Sequence, residues 1–143
     1  MLLISGIVGG LIFPASWPIG APTVTVRITG LENNRGQVVL SVFATEEGFP
    51  MNTERAIRQV TAHIHHQQAI LEVPQVPPGE YALAVIHDEN ENDELDLNFL
   101  GIPKEGACAS NNAKGFMRPP RYRDATFVVA NEPLSMDLKM LYF

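Results

Sequence analysis

Apolar and polar residues alternate in short runs along most of this chain, and each run predicts a strand. The first is Thr23-Val24-Thr25-Val26-Arg27-Ile28, which puts Val24, Val26 and Ile28 on one face. Gly30 to Gly36, containing Asn33-Asn34-Arg35-Gly36, has the residues of a turn, and Val38 to Phe43 follows, so these two runs are expected to pair as a hairpin. Thr45 to Gln59 is polar and irregular and is expected as an insertion with at most one or two helical turns. Strand signals return at Thr61 to His65 and at Ala69 to Val73, closed off by Pro74, Pro77, Pro78 and Gly79. Glu80 to Ile86 is the most apolar stretch after residue 22 and is expected as a central strand. His87 to Arg123 shows neither strand nor helix period, and an ordered loop of that length is usually functional or held by something. Alternation resumes at Ala125 to Val129 and at Leu134 to Met140. The expected fold is therefore all-β: about seven strands in an antiparallel Greek-key sandwich, immunoglobulin-like in layout, with one long ordered loop.

The start of the chain does not fit that pattern. Leu2 to Phe13 is uncharged and mostly apolar, the length of a signal-peptide core and too short to span a bilayer comfortably. No Lys or Arg precedes it, but Ala15 and Ala21 offer small residues for cleavage, Ala21 being the better placed. Residues 1–21 are thus expected to be a signal peptide and 22–143 a single domain, destined for the periplasm, the cell envelope or the exterior. The 143-residue length suits one domain and no more. Its 16 acidic and 10 basic residues give a net charge of -6 without any basic cluster, which argues against nucleic-acid binding. No membrane span is expected after residue 21, and the expected partner is a cell-envelope protein or polysaccharide. Cys108 is the lone cysteine, so stability has to come from packing, hydrogen bonds or a metal instead of an internal disulfide.

The most specific chemistry follows the apolar central strand. In His87-Asp88-Glu89-Asn90-Glu91-Asn92-Asp93-Glu94-Leu95-Asp96, oxygen-bearing side chains recur at positions 88, 90, 92, 94 and 96. That is the spacing of a calcium loop, in which a tight turn folds alternate side chains around one hard cation. Asp88, Asn90 and Asn92 are expected to give side-chain oxygens, Glu94 its backbone carbonyl, and Asp96 a carboxylate directly or through water. The glycine usual at the sixth position is Asp93, and the bidentate glutamate usual at the twelfth is Phe99, so a further ligand has to come from elsewhere, with Glu105 the candidate. Affinity is expected in the weak range of extracellular modules. The competing structural reading is an acidic turn whose Asp and Asn side chains bond only to their own backbone.

The block running from Pro78-Gly79-Glu80-Tyr81 through His87-Asp88-Glu89-Asn90-Glu91-Asn92, Leu95-Asp96-Leu97-Asn98 and Gly101-Ile102-Pro103-Lys104-Glu105-Gly106 to Pro119-Pro120 resembles a bacterial family of exported proteins known as a domain of unknown function. The similarity covers about residues 23 to 142. It implies a transthyretin-like or carboxypeptidase-regulatory-like β-sandwich and no particular activity. Asp93 departs from the glycine typical of that family.

Other groups carry weaker signals. His63, His65 and His66 sit on a predicted strand and are expected to form a polar face in preference to a zinc site. His87 beside Asp88 raises the alternative of a hydrolytic enzyme, although no nucleophile stands in a recognisable motif and a loop-orienting hydrogen bond explains His87 more simply. Cys108 is expected to be an incidental thiol. Arg118, Arg121 and Arg123 are expected to form a small basic rim, solvated or paired with the acidic loop. The functional expectation is a noncatalytic exported module with a calcium-stabilised loop; the alternatives are the hydrolase and an oligomeric cell-envelope scaffold pairing through sheet edges.

Overall fold

A computed structural model describes residues 20–143, so the expected leader lies almost wholly outside the described residues. Eight strands follow in order: β1 (Val24–Thr29), β2 (Gln37–Phe43), β3 (Arg58–His63), β4 (Ala69–Val73), β5 (Gly79–Asp88), β6 (Ala107–Ala109), β7 (Phe127–Val129) and β8 (Leu134–Lys139). Among the described residues helix is confined to single turns at Thr53–Arg55 and Ser110–Asn112 and to the four-residue α1 (Tyr122–Ala125). Among the described residues no helix is long and apolar enough to cross a membrane.

The strands make two sheets, ordered β4-β1-β8 and β3-β2-β5-β6, with β7 also pairing β5. Their inward side chains share one apolar core: Val24, Val26, Ile28, Leu71, Val73 and Leu138 from the first sheet meet Val38, Leu40, Val42, Leu83 and Val85 from the second. Burying each of these side chains contributes about 1.5–3 kcal/mol. In β1 the alternation seen in the sequence is the alternation of burial, with Arg27 facing out and paired with Asp137 of β8. β2 and β5 are different, being buried on both faces. Behind them Ala82, Ala109 and Ala125 pack with Phe49, Ala113 and Tyr122, and Phe49 stacks edge-on against both Phe43 and Tyr122. A strand covered on both sides reads as a continuous apolar run, which is why Glu80 to Ile86 stood out.

Several expectations need correction. The described residues form eight strands instead of about seven, because β6 lies inside the segment expected as loop; three residues are too few to show a period. The sandwich is not wholly antiparallel, since β1 and β8 pair in parallel from Val24↔Leu134 to Thr29↔Lys139. Nearly the whole domain serves as their crossover, so no short turn dictates the orientation. β1 and β2 do not form a hairpin: they lie in different sheets, and the Gly30 to Gly36 connection passes between the sheets, burying Leu31 as it goes. β3 and β4 likewise belong to different sheets, joined through buried Ile64 and a tight turn at His66 and Gln67, both with positive φ. His63, His65 and His66 are all exposed there.

Gly36 sets where this connection can go. Its φ is +69°, and a Cβ there would overlap the carbonyl oxygen of Asp88 and lie 2.6 Å from the Glu89 Cα. Backbone therefore touches backbone at the end of β5, which only glycine permits. Gly36→Ala is expected to destabilise the domain by about 3 kcal/mol, combining left-handed strain with overpacking. The check is the urea midpoint of the variant against the parent; an unchanged midpoint contradicts this account.

Candidate functional site

β5 runs two residues further than the sequence suggested and carries His87 and Asp88 into the sheet, both fully buried. The His87 ring is occupied at both nitrogens. Nε2 donates to the Arg35 carbonyl at 2.8 Å, because a carbonyl can only accept, and Nδ1 lies 2.8 Å from the Tyr142 hydroxyl. That hydroxyl also accepts the Glu32 N–H at 3.0 Å. Burial pushes the Tyr142 phenol up, which keeps its proton available to His87. His87 thus ties the β1–β2 connection and the residues after β8 to the central strand. A buried imidazole in this position cannot meet a substrate, so the acid/base role considered for His87 with Asp88 finds no geometry here.

Asp88 accepts three hydrogen bonds. Its Oδ2 takes Gln37 Nε2 at 3.1 Å and the Asp93 N–H at 2.7 Å, and its Oδ1 takes the Asn92 N–H at 3.1 Å. Downstream, Asn90 Oδ1 accepts the Asn92 N–H at 3.3 Å and Asn92 Oδ1 accepts the Glu94 N–H at 3.0 Å. Asn90 and Asn92 thereby each fold the backbone two residues ahead, and Asp88 the backbone four and five residues ahead. Glu91 and Asp93 take the left-handed turns that close the loop, with φ of 56° and 64°. Asp93, standing at the usual glycine position, adopts that conformation as aspartate tolerates it better than most residues. The Asp96 carboxylate completes the ring, accepting Asn90 Nδ2 at 2.6 Å and Asn92 Nδ2 at 2.9 Å. These amide bonds hold the Asp96 pKa below the ordinary carboxylate range.

Of the five expected ligands, Asp88, Asn90, Asn92 and Asp96 are thus joined in one network. The Glu94 side chain is exposed and stands outside it, its residue being held through the backbone. Glu105 is engaged differently from the expectation: buried, it accepts the Glu89 N–H at 2.9 Å and the Asp96 N–H at 3.1 Å, stapling the two limbs of the loop. Beyond the ring, Asn98 Oδ1 takes the Leu100 and Ile102 N–H groups and turns the chain back, leaving Phe99, at the twelfth position, 95% exposed. Among the described residues no group of three or more His, Cys, Asp or Glu side chains is gathered as a metal cluster. The network here joins the carboxylates of Asp88 and Asp96 with the amides of Asn90 and Asn92, whose nitrogens donate to Asp96.

Among the described residues the ion-pair partner of this loop is Arg35, expected from sequence only as a turn residue. Its Nη2 meets Glu89 Oε1 at 2.6 Å, with Asn33 Nδ2 at 3.4 Å from the same oxygen, and the Arg35 bond chiefly lowers the Glu89 pKa. Among the described residues no ion pair joins Arg118, Arg121 or Arg123 to the acidic loop, and Arg121 bonds Asp124 at 3.2 Å. Gln37 and Tyr142 were also missed; both reach the site through pairings remote in sequence. Cys108 lies buried in β6, where burial pushes its thiol up to about 12 and disfavours the thiolate form.

A family model described as "Uncharacterized protein conserved in bacteria (DUF2141)" matches residues 26–137. No curated protein and no solved structure matches the chain.

The lowered pKa values of Glu89 and Asp96 give a pH dependence of known sign. A carboxylate with a depressed folded pKa contributes stability that is complete above its unfolded value and lost as pH falls through its folded value. Stability is therefore expected to hold from pH 7 to about pH 4 and to fall below that. Urea midpoints across this range, compared with those of Glu89→Gln, check it: the variant's profile should be flatter below about pH 4, and parallel profiles would contradict the assignment.

Proposed function

The chain belongs to the DUF2141 family of bacterial proteins, and from that premise and the geometry of its loop we propose that it is an exported, noncatalytic β-sandwich module whose 88–105 loop binds calcium and is stabilised by it. Asp88, Asn90 and Asn92 supply side-chain oxygens, Glu94 its carbonyl and Asp96 a carboxylate, with water completing the six to eight oxygens that calcium takes. The observation that carries the reading is the succession of side-chain turns at Asp88, Asn90 and Asn92, closed by Asp96. A carbonyl or carboxylate oxygen has two lone pairs, so one N–H bond at Asn90 or Asn92 leaves a second site for a cation. Loss of the bidentate glutamate at position 99, together with the engagement of Glu105 by backbone amides, keeps the affinity weak. In this reading the sheets form a transthyretin-like, Greek-key sandwich, supported by their shared core and the Pro78-Gly79-Glu80-Tyr81 entry into β5. Export is supported by the apolar run Leu2 to Phe13 ahead of Ala21.

With a dissociation constant near 1 mM, 10 mM calcium is expected to stabilise the domain by about 1.4 kcal/mol and raise Tm by about 5 °C. The test is a melt with calcium, with magnesium and with chelator, repeated on Asp96→Ala. Calcium alone should shift the parent and leave the variant unmoved; equal melting temperatures in all conditions remove the metal from the reading. For export, the protein recovered from the periplasmic fraction should begin at Pro22, and a cytoplasmic product retaining residues 1–21 contradicts it.

A further inference from the structure

The segment after β6 carries a second feature, unrelated to the acidic loop. Phe116 and Met117 are adjacent and almost fully exposed, at 85% and 90%. Water-facing apolar pairs of this kind mark contact sites when the backbone presenting them is fixed, and here it is. A Cβ at Gly115 would lie 2.5 Å from the Arg118 carbonyl oxygen and 2.6 Å from that of Pro119, so residues 115–119 close on themselves as a knuckle, with Met117 at φ 56°. Its base is pinned: Asn112 Oδ1 accepts the Lys139 N–H at 2.9 Å, and Asn111 Nδ2 donates to the Thr126 carbonyl at 2.8 Å.

Charge says what covers it. The chain carries a net -6, yet no Asp or Glu occurs from Gly106 to Arg123, while Lys114, Arg118, Arg121 and Arg123 are four of the ten basic residues. Arg121 is bonded to Asp124; Lys114, Arg118 and Arg123 stand outside the ion pairs found among the described residues. Lys139 joins Lys114 in lining a cavity of about 220 Å³ with Cys108, Asn112 and Leu141. Phe99 and Leu100, also exposed, lack this setting, following six acidic residues between Asp88 and Asp96. An exposed apolar pair with Lys114 and Arg118 close on either side in the chain matches a deformable apolar medium under a layer of negative charge.

We propose that residues Lys114–Pro119, together with Lys139, dock on an anionic lipid surface, with Phe116 and Met117 entering the boundary between headgroups and acyl chains and Lys114, Arg118 and Lys139 meeting lipid phosphates. Tyr122 and α1 hold the segment to the sheet and stay clear of the bilayer. The docking is peripheral and is independent of calcium at the acidic loop.

The test places an indole on the knuckle, using the chain from Pro22 onward, which contains no other Trp, with Phe116→Trp. Phe116 is exposed, so the fold should survive, which an unchanged melting temperature verifies. Emission should shift to the blue with vesicles of phosphatidylcholine mixed with phosphatidylglycerol, revert in high salt, and stay unshifted with phosphatidylcholine alone. Lys114→Gln combined with Lys139→Gln should lower the partition constant roughly 30-fold. The proposal is overturned by no shift on anionic vesicles, by an equal shift on both vesicle types, or by an undiminished shift in the lysine variant. A shift produced by inorganic phosphate without vesicles assigns the site to a free anion, and one that grows with protein concentration alone assigns the knuckle to a second copy of the chain; either overturns it too.

Discussion

A carboxylate buried at the end of the central strand has to find hydrogen-bond donors, and the rest of the loop is arranged around that obligation. Asp88 is fully buried, and an ion left unpaired there would cost several kcal/mol. It draws one donor from β2, through Gln37, and two from the chain just ahead of it, at Asn92 and Asp93. Collecting those two amides is what winds the loop. Glu105 imposes the same demand from the other limb, taking the amides of Glu89 and Asp96. The acidic residues nearest the sheet therefore act first as acceptors for the backbone, and the hydrogen-bonded Asn90, Asn92 and Asp96 side chains further out follow from that winding.

The same buried end is what the remaining elements converge on. His87 meets Arg35 and Tyr142 beside Asp88, while Gly36 brings the β1–β2 connection into backbone contact. Glu89 then takes Arg35 at the surface. Charge is segregated as a result. The acidic loop leaves from the Asp88 end of β5, whereas β6 runs antiparallel from Ala107, opposite Ile86, to Ala109, opposite Ala84, and hands the chain to a segment that begins beside Leu83. The basic stretch thus starts part of a strand's length away from the acids, and the two do not neutralise each other.

What the sequence revealed and what it concealed follow the range of the interactions. β1, β5 and the outline of β8 were visible because alternation, or continuous burial, is written into consecutive residues. The folding of Asp88, Asn90 and Asn92 was visible because each side chain bonds two to five residues ahead. Sheet membership was not, since the alternation in β1 and β2 is the same whether they pair or face each other across the core. β6 was too short to register, and it owes its place to β5 on one side and Leu141 on the other. Gln37, Arg35 and Tyr142 reach the site only through pairings with partners more than fifty residues away, which no local pattern encodes.

The parallel pairing of β1 with β8 has a consequence for the order of assembly. The central strand of the smaller sheet gains its second neighbour only from residues more than a hundred positions later, and Tyr142 must arrive after that to seat His87. Long-range closure of this kind slows folding. A chain emerging from its N-terminal end therefore cannot complete this core until nearly all of the described residues have emerged.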